Sequence, residues 1–154
     1  MIDVKFKKLT KEAVIPTYAH EGDAGLDLTA TSKKSDKYGN IVYGTSIALE
    51  IPKNYVGLIF HRSGIFKKTL IMSNCVGVID SIYRGEIFLK MRRSFFLKNL
   101  LRIKPFSFIF GREYKIGEKI GQLIILPAYK VNLIEVNELS ETERGEGGFG
   151  STGK

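Results

Sequence analysis

The segment Arg144-Gly145-Glu146-Gly147-Gly148-Phe149-Gly150-Ser151-Thr152-Gly153-Lys154 holds five glycines in eleven residues, with two hydroxyls and two cations. Glycine lets backbone approach an anion closely, and hydroxyls and a guanidinium add strong donors, so this segment suits a polyphosphate. Two familiar patterns can be written on it. Gly145-x-Gly147-x-x-Gly150 fits a dinucleotide fingerprint, and Gly148-x-x-x-x-Gly153-Lys154 fits most of a P-loop. Both patterns need a strand before and a helix after, because the helix N-terminus supplies part of the phosphate site. Here Leu139-Ser140-Glu141-Thr142-Glu143 precedes, which is no buried strand, so neither fold is expected. With nothing to pack into a core, the tail is expected to be mobile when alone.

Other reactive side chains are few. Cys75 is the single cysteine, which rules out an internal disulfide and suits a reducing, cytoplasmic setting, a nuclear or viral host-cell setting staying open. His20 and His61 are the only histidines, too few for a zinc site, and both read as structural or surface residues. No run approaches the roughly 20 apolar residues that cross a bilayer, and Met1–Lys8 has no signal-peptide pattern. The net charge of +8 favours nucleotides, nucleic acid or an acidic membrane face. Lys90, Arg92, Arg93, Lys98, Arg102, Lys104 and Arg112 lie between Ile87 and Arg112 without an Asp or Glu, so the excess belongs to one segment. The same stretch is also apolar, with Phe95, Phe96, Leu97, Leu100, Leu101, Ile103, Phe106 and Phe108 among the charges.

The elements that must carry these residues read as short strands in one domain spanning residues 1–154. Ile2, Val4 and Phe6 alternate with Asp3, Lys5 and Lys7, the period of a half-buried strand. Further β-type runs are Ser46–Ile51, Tyr55–Phe60, Glu86–Met91, Lys119–Leu126 and Tyr129–Val136. Turns fall at Tyr38-Gly39-Asn40, Pro52-Lys53-Asn54, Ile116-Gly117-Glu118 and Leu126-Pro127, and Gly64–Leu70 suits a short helix. Many short strands without alternating helices predict an all-β, antiparallel sandwich or barrel.

Five segments in order then resemble the five motifs of the trimeric, all-β dUTPase family. They are Pro16 to Leu28, containing Ala24-Gly25-Leu26-Asp27-Leu28; Arg62-Ser63-Gly64; Asn74 to Glu86, containing Gly77-Val78-Ile79-Asp80 and Tyr83-Arg84-Gly85; Gly117 to Leu123, containing Gly121-Gln122; and Arg144 to Gly153. The resemblance spans nearly the whole chain. It implies an antiparallel jelly-roll or barrel and hydrolysis of dUTP to dUMP and pyrophosphate by water attacking the α-phosphorus. That reaction limits uracil in DNA and supplies dUMP for thymidylate synthesis.

By the same resemblance Asp80 orients and activates the water. An aspartate is ordinarily ionised at neutral pH, and such general-base help contributes roughly a hundred- to ten-thousand-fold. Tyr83 packs on the deoxyribose and excludes a 2′-hydroxyl. Asn74 and the backbone of Gly77, Val78 and Ile79 read the uracil edge from a β-hairpin. Arg62, Ser63, Gly64 and Gln122 match phosphate ligands. Asp27 holds water on a phosphate-bound Mg²⁺, an ion that keeps several waters and takes few protein ligands. The plain alternatives are turn carboxylates for Asp27 and Asp80 and a solvent-facing strand residue for Gln122.

The tail then reads as a lid. Phe149, its one aromatic, would stack on a base for about 1–3 kcal/mol, while Arg144, Gly150, Ser151 and Thr152 meet phosphates. Ordering some ten residues costs on the order of 10 kcal/mol, which a triphosphate offsets better than a monophosphate does. The family's active sites are shared between subunits, so a homotrimer is implied. Departures are His61 in place of a usual proline, Ile82 in place of a usual acid, Gly121 in place of alanine, and a long basic and apolar insert at residues 92–111. The insert reads either as an elaborated hairpin over a trimer surface or as a contact for nucleic acid, an anionic membrane or a protein. Two rivals stay open: a dCTP deaminase-like enzyme, and a regulatory protein of this fold that binds through the insert.

Overall fold

The computed structural model describes residues 2–94 and 112–148. Its strands among these residues are β1 (Lys5–Lys8), β2 (Leu26–Thr29), β3 (Ser32–Ser35), β4 (Ile41–Glu50), β5 (Tyr55–His61), β6 (Leu70–Met72), β7 (Gly77–Ile79), β8 (Glu86–Arg93) and β9 (Lys119–Pro127), with a 3₁₀ helix at Ser63–Lys67. They build two antiparallel sheets, one ordered β1-β4-β8-β6 with β3 also on β4, the other β2-β9-β5-β7. The all-β, jelly-roll-like expectation therefore holds, as two sheets rather than a closed barrel among the described residues.

Period-two alternation accounts for the core. In β8, Ile87, Leu89 and Met91 are buried while Phe88, Lys90 and Arg92 face outward. Tyr43, Ile47 and Leu49 of β4, Ile59 of β5 and Ile120 and Leu123 of β9 complete the filling between the sheets. Each such side chain contributes about 1.5–3 kcal/mol relative to exposure. β1 pairs with Ile47–Glu50 and β3 with Ile41–Gly44 of β4, and between them the β4–β8 pairing shifts register, with Ser46 at a left-handed φ of 53°. The irregularity is satisfied locally: Ser46 N–H donates to the Glu86 carboxylate at 2.8 Å, and Thr45 Oγ1 to the Ile87 carbonyl at 2.9 Å.

Two expected strands differ. β1 forms, yet all four residues are exposed, Phe6 among them, because none of the described residues is laid over this edge strand. No strand forms at Tyr129–Val136. β9 ends at Pro127, which lacks a ladder donor, and the chain continues as an irregular arm. Tyr129, Val131, Leu133, Ile134 and Leu139 of that arm are all exposed. The insert's residues 95–111, like Phe149, Gly150, Ser151 and Thr152, lie outside the described residues. The insert's flanks are tied together: Arg93 Nε donates to Glu113 Oε1 at 2.7 Å, and Lys33 Nζ lies 2.6 Å from Glu113 Oε2. No helix among the described residues is long and apolar enough to cross a membrane.

Candidate active site

Three neighbouring strands bring the first group of side chains together. Asp27 of β2 pairs with Gln122 of β9, and Gln122 pairs with Phe60 of β5, two residues before Arg62. Residues opposite one another on adjacent strands share a face, so the three side chains converge. Gly25 makes room for this: a Cβ there would come within 3.0 Å of Gln122 Cβ. Asp27 is a strand residue, not a turn carboxylate, and its side chain is 3% exposed.

A buried carboxylate is tolerated only when its oxygens are satisfied. Arg62 Nε lies 3.1 Å from Oδ1 of Asp27, Gln122 Nε2 donates to the same oxygen at 3.4 Å, and Lys119 Nζ donates to Oδ2 at 2.7 Å. Lys119 was missed in the sequence, and the register explains why. Asp27 pairs with Gln122 and Leu28 with Gly121, but Thr29 pairs with Lys119, so Ile120 is the extra residue of a β-bulge. In a regular strand Lys119 and Gln122 would face opposite sides; the bulge turns Lys119 onto the face of Asp27.

Beside this carboxylate lies an open cavity of about 280 Å³ lined by Arg62, Gly64, Lys68, Tyr114, Glu118 and Lys119. Lys68 donates to Glu118 Oε2 at 3.0 Å and sits 4.5 Å from the Tyr114 ring centre. The Lys115 backbone N–H, then Lys68, hold the Glu118 carboxyl below its ordinary value despite some burial, while burial pushes the Tyr114 hydroxyl up. Ser63 and Gly64 open the 3₁₀ helix at the cavity rim, exposed beside Arg62. His61 faces solvent, its Nδ1 3.2 Å from the Arg62 carbonyl.

The second group lies elsewhere. Asn74 and Cys75, the latter at φ 57°, carry the chain from β6 in one sheet to β7 in the other, and β7 pairs with β5 rather than forming a separate hairpin. Asn74, Val78, Asp80 and Tyr83 are exposed, Ile79 is half-buried and Gly77 is buried against Ile59. Tyr83 N–H closes a turn on the Asp80 carbonyl at 3.0 Å, and its hydroxyl donates to the Glu86 carbonyl at 3.0 Å. Gly85 is required here, because a Cβ would collide with the Tyr83 ring. Ile82 is fully outward.

The two groups do not meet within one chain. Gly57 pairs with Ile79, so Asp80 flanks the start of β5, whereas Arg62 follows its end. Five residues of strand between Gly57 and Arg62 correspond to roughly 17 Å. Arg144 lies on the exposed arm, its Nε donating to the Gly147 carbonyl at 2.8 Å.

No group of three or more His, Cys, Asp or Glu able to cage a metal occurs among the described residues. Both Asp27 oxygens are already engaged, so this donor set fits an ion carried by a ligand's phosphates and reached through water, as Mg²⁺ chemistry permits. A two-sheet antiparallel fold with a cationic and amide cluster organised on one buried carboxylate has the donors that suit a phosphorylated ligand. Comparison with known proteins narrows this. The dUTPase family profile matches residues 11–103 and 109–153, breaking inside the basic insert. The deoxyuridine 5′-triphosphate nucleotidohydrolase of Clostridium acetobutylicum is 39% identical over 158 residues, covering 99% of this chain and 98% of that protein. The dUTPase of Staphylococcus bacteriophage 80alpha, solved with dUPNHPP, superposes with a TM-score of 0.77 at 30% identity over 100% of both chains. A mutant dUTPase of phage phi11 of S. aureus, described with a structural Mg(II) ion, superposes at 0.68 with 26% identity, covering 89% of this chain and 98% of that one. This chain belongs to the dUTPase family.

Proposed function

We propose that this protein hydrolyses dUTP to dUMP and pyrophosphate, with Asp80 aligning the attacking water and the Asp27 cluster gripping the phosphates. The observation that carries the reading is the docking of Arg62 and Gln122 on one oxygen of buried Asp27. It prepositions a guanidinium and an amide, donors suited to phosphate oxygens, at the mouth of a cationic cavity. Ser63 and Gly64 add a hydroxyl and backbone at its rim. Mg²⁺, when bound to the phosphates, would neutralise charge there, with Asp27 touching it through water.

At the other group, Asp80 is exposed and free to accept a proton from water. Tyr83, fixed by its hydrogen bond to Glu86, offers a ring face to the sugar and leaves no room for a 2′-hydroxyl. Asn74 and the backbone at Gly77, Val78 and Ile79 read the base. Phe149 stacks over it, and Arg144, Gly150, Ser151 and Thr152 cover the phosphates as a lid. The sites are completed between copies in a homotrimer. The separation of Asp80 from Arg62 supports this, as do the exposed apolar residues of the arm. Neither rival is favoured: the named relatives are nucleotidohydrolases, not deaminases, and the hydrolytic carboxylates are present.

Steady-state turnover of dUTP, dCTP, dTTP and UTP by the parent and by Asp80→Asn tests the chemistry. Preference for dUTP and a loss of roughly 10²–10⁴-fold in kcat in the variant are expected, with the fold intact because Asp80 is exposed. Equal turnover of UTP, or full activity in the variant, overturns the reading. Co-refolding Asp80→Asn with Arg62→Ala should restore part of the activity if sites are shared between copies. No recovery overturns that part.

A further inference from the structure

The β-bulge at Ile120 spends one residue of β9 to aim Lys119 at Asp27. Bulges beside functional sites commonly re-aim a side chain. Lys119 makes the shortest of the three contacts to this carboxylate, at 2.7 Å against 3.1 Å for Arg62 and 3.4 Å for Gln122. Its ammonium takes Oδ2, so Arg62 and Gln122 are gathered together on Oδ1. Without Lys119, Oδ2 would be open to Arg62, whose planar fork readily spans both oxygens of a carboxylate. Arg62 would then be drawn onto Asp27 and away from the cavity.

Charge gives the same direction. Asp27 carries one negative charge, Arg62 and Lys119 one positive charge each, so the trio is net +1. Removing Lys119 makes it neutral at the mouth of a cavity meant for an anion. Lys119 is itself 43% exposed and lines that cavity, so its field reaches a bound phosphate.

We propose that Lys119 is a positioning residue for phosphate binding: it holds one oxygen of Asp27 so that the other presents Arg62 and Gln122 to the phosphates. The proposal rests on the dUTP hydrolase reading, and turnover of dUTP by the parent protein is the control on which that reading stands or falls by itself.

The experiment compares Lys119→Met, Lys119→Gln and Lys119→Arg in the full chain, in the parent and Asp27→Asn backgrounds, with excess Mg²⁺. KM for dUTP should rise roughly tenfold in Lys119→Met and Lys119→Gln, with kcat within about twofold, since the lost effect is on phosphate binding. Lys119→Arg should restore KM to within about threefold, because it returns the charge to the same carboxylate. In the Asp27→Asn background, Lys119→Met should raise KM by no more than about threefold, since the part of its effect that acts through Asp27 is gone and only its direct field on the phosphate is left. A KM within about twofold of the parent in both neutral variants would overturn the proposal. So would an undiminished Lys119→Met effect when Asp27 is already Asn. A merely structural role predicts lower thermal stability with no separation of KM from kcat, and that outcome also overturns it.

Discussion

Replacing Asp27 by Asn separates the work of its charge from the space it fills. The carboxylate offers two acceptor oxygens to Lys119 at 2.7 Å, Arg62 at 3.1 Å and Gln122 at 3.4 Å. An amide of the same shape offers one. If its oxygen faces Lys119, its NH₂ meets Arg62; if its oxygen faces Arg62, its NH₂ meets the Lys119 ammonium. Gln122 can turn its own amide to accept, but neither cation can. One charge-assisted contact is therefore lost whichever way the amide lies, worth about 1–3 kcal/mol when its partner stays buried. Arg62 and Lys119 are 39% and 43% exposed and regain water, which favours the lower half of that range. A loss of about 1–1.5 kcal/mol lowers Tm by roughly 2–6 °C in a chain of this size. At the same time Arg62 and Gln122 lose their shared anchor, so kcat/KM for dUTP should fall about 10- to 100-fold. Thermal unfolding at one fixed protein concentration and a pyrophosphate-release assay read the two effects separately. An unchanged Tm, with kcat/KM within about twofold of the parent, would refute the view that Asp27 organises these side chains.

Two further outcomes follow from contacts around the site. Burial pushes the Glu113 carboxyl up, but hydrogen bonds from Lys33 and Arg93 more than reverse it, and it ionises below its ordinary 4.5. A depressed folded-state value stabilises above the unfolded one and is lost as pH falls through it, so Glu113→Gln should melt below the parent at pH 7 and approach it as pH drops under 4.5. A gap that is the same at every pH would contradict this. At Gly121, an added Cβ would lie 2.5 Å from Leu89 Cδ2 and 2.9 Å from the Phe60 carbonyl oxygen. Gly121→Ala should therefore cost about 1–3 kcal/mol in urea unfolding. A neutral result would contradict this, since Leu89 can turn aside but the Phe60 carbonyl is fixed in the ladder.

How far the sequence discloses this architecture depends on where each signal originates. Ile87, Leu89 and Met91 announce β8 because their burial is decided by the period of their own strand. β3 is silent, since Ser32-Lys33-Lys34-Ser35 has no apolar residue to signal it and is placed by its pairing with β4 and by the contacts of its lysines. Tyr129–Val136 misleads in the opposite sense: its apolar residues suit a strand, but among the described residues no strand pairs with it. Asp27, Arg62 and Gln122 are legible as a set through motif resemblance, and three adjacent strands bring them together. Lys119 is not, because a one-residue bulge reverses the face that simple alternation assigns to it. The alanine-to-glycine change at Gly121 reads as minor until Leu89 is seen filling the space a methyl would need.

The distance between the two halves of the site has its own physical consequence. A water aligned by a carboxylate must sit about 3–3.5 Å from the phosphorus it attacks. Asp80 and the phosphate clamp are instead set at opposite ends of β5, roughly 17 Å apart by strand rise. Aspartate is too short to span that gap, and β5 is held on both sides by β7 and β9, so it cannot fold to close it. Under the proposed function, the Asp27 cluster of one copy has to meet the Asp80 turn of another. The same proposal gives a use to the arm after Pro127, whose Tyr129, Val131 and Leu133 are exposed among the described residues. The proposed sharing of sites between copies thus accounts at once for the separated groups and for the exposed apolar arm. Activity that persisted at dilutions where only single copies exist would break this chain of reasoning at its first step.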